Sequence, residues 1–126
     1  AFSSWGEGGY STFWLNGNND WIYPHLQEMA TRMEKLANLH QNPPALIYRA
    51  LNQAARELML SQSSDWAFCM TTGSHAEYAV NRVRDHTLAF IELEKQVLSG
   101  MIDSAWLSVV ESKNNLFPDI DYRVFA

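Results

Sequence analysis

From Ile22 onward, apolar positions recur at the three-and-four spacing of helices. Ile22, Leu26, Met29, Met33 and Leu36 share one face, and Asn19 or Asp20 stands where such a helix would be capped. Pro24 falls in the first turn, where a missing N–H costs little, and Pro43-Pro44 after residues 40–42 ends the element. Asn42 reads as the cap of a second helix with Ile47, Leu51, Ala54 and Leu58 on its stripe. Leu46, Ala50, Ala55 and Met59 widen that stripe, which predicts burial on more than one side. Ser61-Gln62-Ser63-Ser64-Asp65 reads as a break, with a turn or two of helix over Trp66-Ala67-Phe68-Cys69-Met70 before Thr71-Thr72-Gly73. Ser74-His75-Ala76-Glu77 has the form of a capping box opening the longest helix. That helix carries Ala79, Val80, Val83, Thr87, Phe90, Val97 and Leu98 and stops at Gly100. Asp103 can cap a short helix with Trp106, Val109 and Val110, after which residues 114–119 lead into an irregular aromatic tail that should pack. No segment alternates apolar and polar residues as a strand would. The pattern predicts one all-α domain over residues 1–126: an antiparallel bundle of about four helices at 21–112, a Gly/Trp-rich loop at 1–20 before it and a packed tail at 113–126.

The first twenty residues follow a different rule. Ser3-Ser4-Trp5-Gly6-Glu7-Gly8-Gly9-Tyr10, continuing through Trp14 to Asn16-Gly17-Asn18-Asn19-Asp20, sets large aromatics among glycines without periodicity. Two readings stand side by side: aromatics tucked onto the core as plugs, or exposed indole faces on which flat ligand rings stack. Composition narrows the partner. A net charge of −5 with scattered Lys and Arg offers no footprint for nucleic acid or an anionic membrane, so a neutral ligand fits better. Cys69 is the single cysteine, which excludes an intrachain disulfide and a thiolate metal cage and sets a cytoplasmic location as the expectation. No apolar run reaches membrane-span length, and no signal-peptide pattern opens the chain. The abrupt start Ala-Phe-Ser-Ser-Trp suggests a piece of a longer polypeptide.

Candidate chemistry is sparse. His25, His40, His75 and His86 make no pair at metal-ligand spacing, no G-x-S-x-G elbow is present, and Cys69 lies in an apolar run without a neighbouring base. Glu28, Glu34, Glu92 and Glu94 read as solvated surface charges. Glu7 differs, because a carboxylate inside the aromatic loop can either hydrogen-bond a hydroxylated ligand or anchor the loop's own N–H groups. Asp65 beside Trp66 repeats the acid-plus-aromatic theme, with a helix N-cap as the plainer role for Asp65. Indoles at Trp5, Trp14 and Trp66 with acceptors at Glu7 and Asp65 would suit a sugar, whose ring stacks while its hydroxyls meet fixed oxygens. A complete catalytic centre is not visible.

At these residues the chain resembles a known family. The opening Ser3-to-Tyr10 block, Trp14-Leu15-Asn16, Asn19-Asp20-Trp21-Ile22-Tyr23, Gln62-Ser63-Ser64-Asp65-Trp66, Thr72-Gly73 before Tyr78-Ala79, and Phe117-Pro118-Asp119-Ile120-Asp121-Tyr122-Arg123 are similar, in order, to the C-terminal helical region of glycoside hydrolase family 57 α-glucan branching enzymes. The resemblance implies a domain packed on an N-terminal (β/α)7 barrel that holds the catalytic Glu and Asp, so no residue of this chain is catalytic and the chain alone is inactive. It implies that Trp5 and Trp14 contact an α-glucan and that Asp65 binds its hydroxyls. Where some members use a glutamine after the T-G pair this chain has Ser74, which departs from the pattern and fits the capping box better. The implied parent transfers an α-1,4-glucan chain to a 6-hydroxyl with retention, using no metal or organic cofactor. An amylase or another glucanotransferase of the same family, or a freestanding helical protein-interaction module, are the other readings. Separated from its barrel, the domain would expose an apolar face and self-associate.

Overall fold

The computed structural model describes residues 22–69, 74–115 and 117–126. Helices α1 (Ile22–Leu39), α2 (Ala45–Cys69), α3 (Ser74–Ser99) and α4 (Ser104–Lys113) are followed by a single 3₁₀ turn at Tyr122–Phe125. There is no strand among the described residues, so the fold is the all-α bundle that the periodicity predicts. The aromatic loop predicted at 1–20 and the candidate caps Asn19 and Asp20 lie outside the described residues.

The core is built where the stripes meet. Met29, Met33 and Leu36 of α1, Leu51, Ala54 and Leu58 of α2, and Val83, Phe90 and Leu93 of α3 are buried together. Burying each of the large side chains contributes about 1.5–3 kcal/mol. The two long helices, separated only by residues 70–73, form the most extensive packing in the domain. Leu98 and Val109, counted with the apolar stripes in sequence, are instead mostly exposed, and Leu93 and Leu107 take the buried positions.

Two boundaries differ from the sequence reading. The serine-rich segment does not break α2, which runs unbroken from Ala45 to Cys69. Ser61 and Ser64 are buried, and the Ser61 hydroxyl lies 3.5 Å from that of Thr87 on α3. Small side chains let α3 approach closely, and that packing overrides a weak local propensity. Asp65 is therefore inside a helix, and its backbone is not at an N-cap. Asn42 does not cap α2 either: the helix opens at Ala45, with the Tyr48 N–H bonded to the Pro44 carbonyl at 2.9 Å.

Other ends follow the sequence. The Asp103 side chain accepts from the Trp106 N–H at 3.0 Å and caps α4. Gly100 ends α3 at φ +75°, a conformation only glycine takes without strain. The tail packs: Tyr122 is fully buried, its N–H bonds to Asn52 Oδ1 at 2.9 Å, and its hydroxyl donates to the His40 carbonyl. Its ring meets Tyr48 edge-on at 5.8 Å, while the Arg123 guanidinium lies 5.3 Å from both ring centres.

Candidate functional site

The backbone brings part of the sequence-nominated set to one end of the molecule. Asp65 and Trp66 lie in the closing turns of α2, and Ser74 opens α3, so the short connection places all three at the same end of the helix pair. Their side chains are outside the described residues, as are Trp5, Glu7 and Trp14 altogether. The helix beginning at Ser74 agrees with the capping-box position to within one residue.

What the sequence did not disclose is a buried polar cluster further along the pair. Glu57, with no solvent exposure, accepts from His86 Nδ1 at 2.7 Å, from Gln53 Nε2 at 2.7 Å and from Asn114 Nδ2 at 3.1 and 3.3 Å. Arg82 Nη2 lies 3.2 Å from His86 Nε2, so the arrangement that satisfies every group puts the imidazole proton on Nδ1 and leaves Nε2 to accept. Gln53 also donates to the Asn114 carbonyl at 2.9 Å and accepts from Arg56 Nη1 at 2.8 Å. Arg56 in turn donates to the carbonyls of Phe117 and Pro118, at 3.3 and 3.0 Å. One connected network thus ties α2, α3, the end of α4 and the tail. With its acceptors met by donors inside the fold, the cluster acts as a structural clamp.

Glu94 also departs from its sequence reading. It is buried rather than solvated and receives Arg32 Nη1 at 2.5 Å, joining α1 to α3. The apolar-stripe method could not find Glu57 or Glu94, because a charged residue on a helix reads as surface by default. The signal available was indirect: Glu57 lies between Arg56 and Leu58 in a stripe already too wide for one buried face. Among the described residues, no group of three His, Cys, Asp or Glu side chains could hold a metal ion, and no helix is long and apolar enough to cross a membrane.

Fold and cluster together define a helical-bundle domain in which the buried polar cluster among the described residues holds the domain's own elements together. Comparison with known proteins says which one. The chain belongs to the family described as 1,4-alpha-glucan branching enzyme, C-terminal, whose model matches residues 25–125. A 1,4-alpha-glucan branching enzyme of Thermococcus kodakarensis is 34% identical over 118 residues, covering 90% of this chain and 18% of that protein. The crystal structure of the alpha-amylase AmyC from Thermotoga maritima is similar with a TM-score of 0.77 and 48% identity, over 86% of this chain and 21% of the other. The chain therefore spans about a fifth of the length of these relatives.

Proposed function

We propose that this chain is the substrate-binding C-terminal domain of a 1,4-α-glucan branching enzyme of glycoside hydrolase family 57, working in glycogen-type α-glucan synthesis in the cytoplasm. The observation that carries the proposal is the family match across residues 25–125. In this reading an N-terminal barrel of the same polypeptide supplies the chemistry. A carboxylate attacks the anomeric carbon while a second carboxyl group protonates the departing oxygen, leaving a glycosyl-enzyme. That second group then takes the proton from an acceptor 6-hydroxyl as its oxygen attacks the same carbon, and inversion twice gives retention. Water must lose this competition, so an aromatic wall that holds the acceptor and excludes solvent is the domain's contribution. Trp5, Trp14 and Trp66 supply the indoles, with Glu7 and Asp65 as acceptors for sugar hydroxyls and Ser74 at the same end.

The test uses the complete polypeptide acting on amylose. New α-1,6 anomeric proton signals support branching, and their absence overturns it. Trp5→Ala should raise KM for amylose by about tenfold, with a smaller change in kcat. Unaltered kinetics would remove Trp5 from the cleft.

A second reading has its own support, since identity to the Thermotoga amylase is higher than to the Thermococcus branching enzyme. The same experiment separates them, because an amylase releases new reducing ends without α-1,6 linkages.

A further inference from the structure

Helix α4 packs on α2, with Leu107 buried in the core and an Arg49–Glu111 ion pair across the two helices, rather than closing against α3. A groove of about 400 Å³ is left between α3 and α4. Each wall is a helical stripe. Arg82, Asp85 and Glu92 come from α3, and Trp106, Val110 and Lys113 come from α4. Between the walls the lining is completed by His86 and Asn114, both bonded to the buried Glu57 beneath. The α3 stripe runs for roughly 15 Å and the α4 stripe for about 10 Å at the helical rise of 1.5 Å per residue, and the volume is that of a small-ligand cleft.

We infer that this groove is a second glucan-binding site, taking a short stretch of α-1,4-linked glucose beside Trp106. The inference rests on the reading of the protein as an α-glucan enzyme. Three features point to a neutral, hydroxylated ligand. The charges on the walls cancel, Arg82 and Lys113 against Asp85 and Glu92, which disfavours a polyanion or polycation. The walls hold both carboxylates and cationic donors together with the half-buried Trp106 indole, so a sugar ring can stack while its hydroxyls both donate and accept. His86 and Asn114 already bond to Glu57, Arg82 to His86 and Glu92 to Gln96, so the ligand is held chiefly by the exposed Asp85 and Lys113. The site is separate from the end marked by Asp65 and Ser74: its nearest wall residue, Arg82, is about 12 Å from Ser74 along α3 at the same helical rise. A second foothold would keep a long chain attached while its free end moves.

Affinity electrophoresis of the complete polypeptide through gels containing amylopectin tests this. Ala89→Trp fills the groove from α3, and Asp85→Ala removes an exposed acceptor with little risk to folding. In a Trp5→Ala background, retardation should persist, and adding either groove change should weaken the remaining affinity by about tenfold. Retardation that disappears with Trp5→Ala alone, or that survives both groove variants, overturns the second site while leaving the glucan reading intact. A wild-type protein that is not retarded and forms no new linkages overturns both.

Discussion

Tyr122 joins the tail to the body through its N–H and its hydroxyl, and burial pushes that hydroxyl above the ordinary value of 10.0, although Arg123 pulls the other way. A folded value above the unfolded one means the native state keeps the proton longer. The stabilisation is thus fully present below pH 10 and is lost as pH rises through the folded value. Tyr122→Phe should cost about 1 kcal/mol in urea unfolding at neutral pH through the lost bond to His40. Its deficit relative to wild type should shrink above that pH; a constant deficit would remove the titration from the account. Glu57 is the more demanding residue. Glu57→Ala leaves His86, Gln53 and Asn114 without their common acceptor and should destabilise by about 3 kcal/mol or more. Hydrogen exchange should then quicken first at the end of α4, where Asn114 is released. Neither role was legible in sequence. A tyrosine in an aromatic tail announces packing but not its partner, and a glutamate between Arg56 and Leu58 hints at burial only through the width of its stripe and names none of its partners.

Among the elements, α4 is the one whose limits are set most locally. Asp103 caps its start, and the reversal before it depends on Gly100. Asp103→Ala should cost about 1 kcal/mol and accelerate exchange in the first turn of α4. Nothing lies within 4 Å of a Cβ placed on Gly100, so Gly100→Ala has room but must hold φ +75°. The change should destabilise by about 1 kcal/mol through the backbone alone, and a neutral result would mean the turn relaxes. These two sites were readable because caps and left-handed turns depend on residues close in the chain. The unbroken α2 was not readable, because Ser61 meets Thr87 of α3 and Ser64 is buried by the fold, neighbours that local sequence does not contain.

For the molecule as a whole, exposed Leu39, Leu98, Met101, Val109 and Val124 leave apolar surface on several elements. In the proposed enzyme a barrel would cover part of it. Sedimentation of the separate chain should therefore show concentration-dependent self-association, and a monomer at every concentration would argue against a large barrel-facing surface. The sequence by itself determined the all-α class, the positions of α1, α3 and α4, their Asp103 and Gly100 signals, and the family, because periodicity, capping and motif order are properties of neighbours along the chain. Only the tertiary structure decided that α2 is continuous, that Glu57 and Glu94 are interior, that Tyr122 is the tail's anchor, and that a groove separates α3 from α4. Those depend on which helices meet, and burial of a charge is stable only once its distant partners arrive.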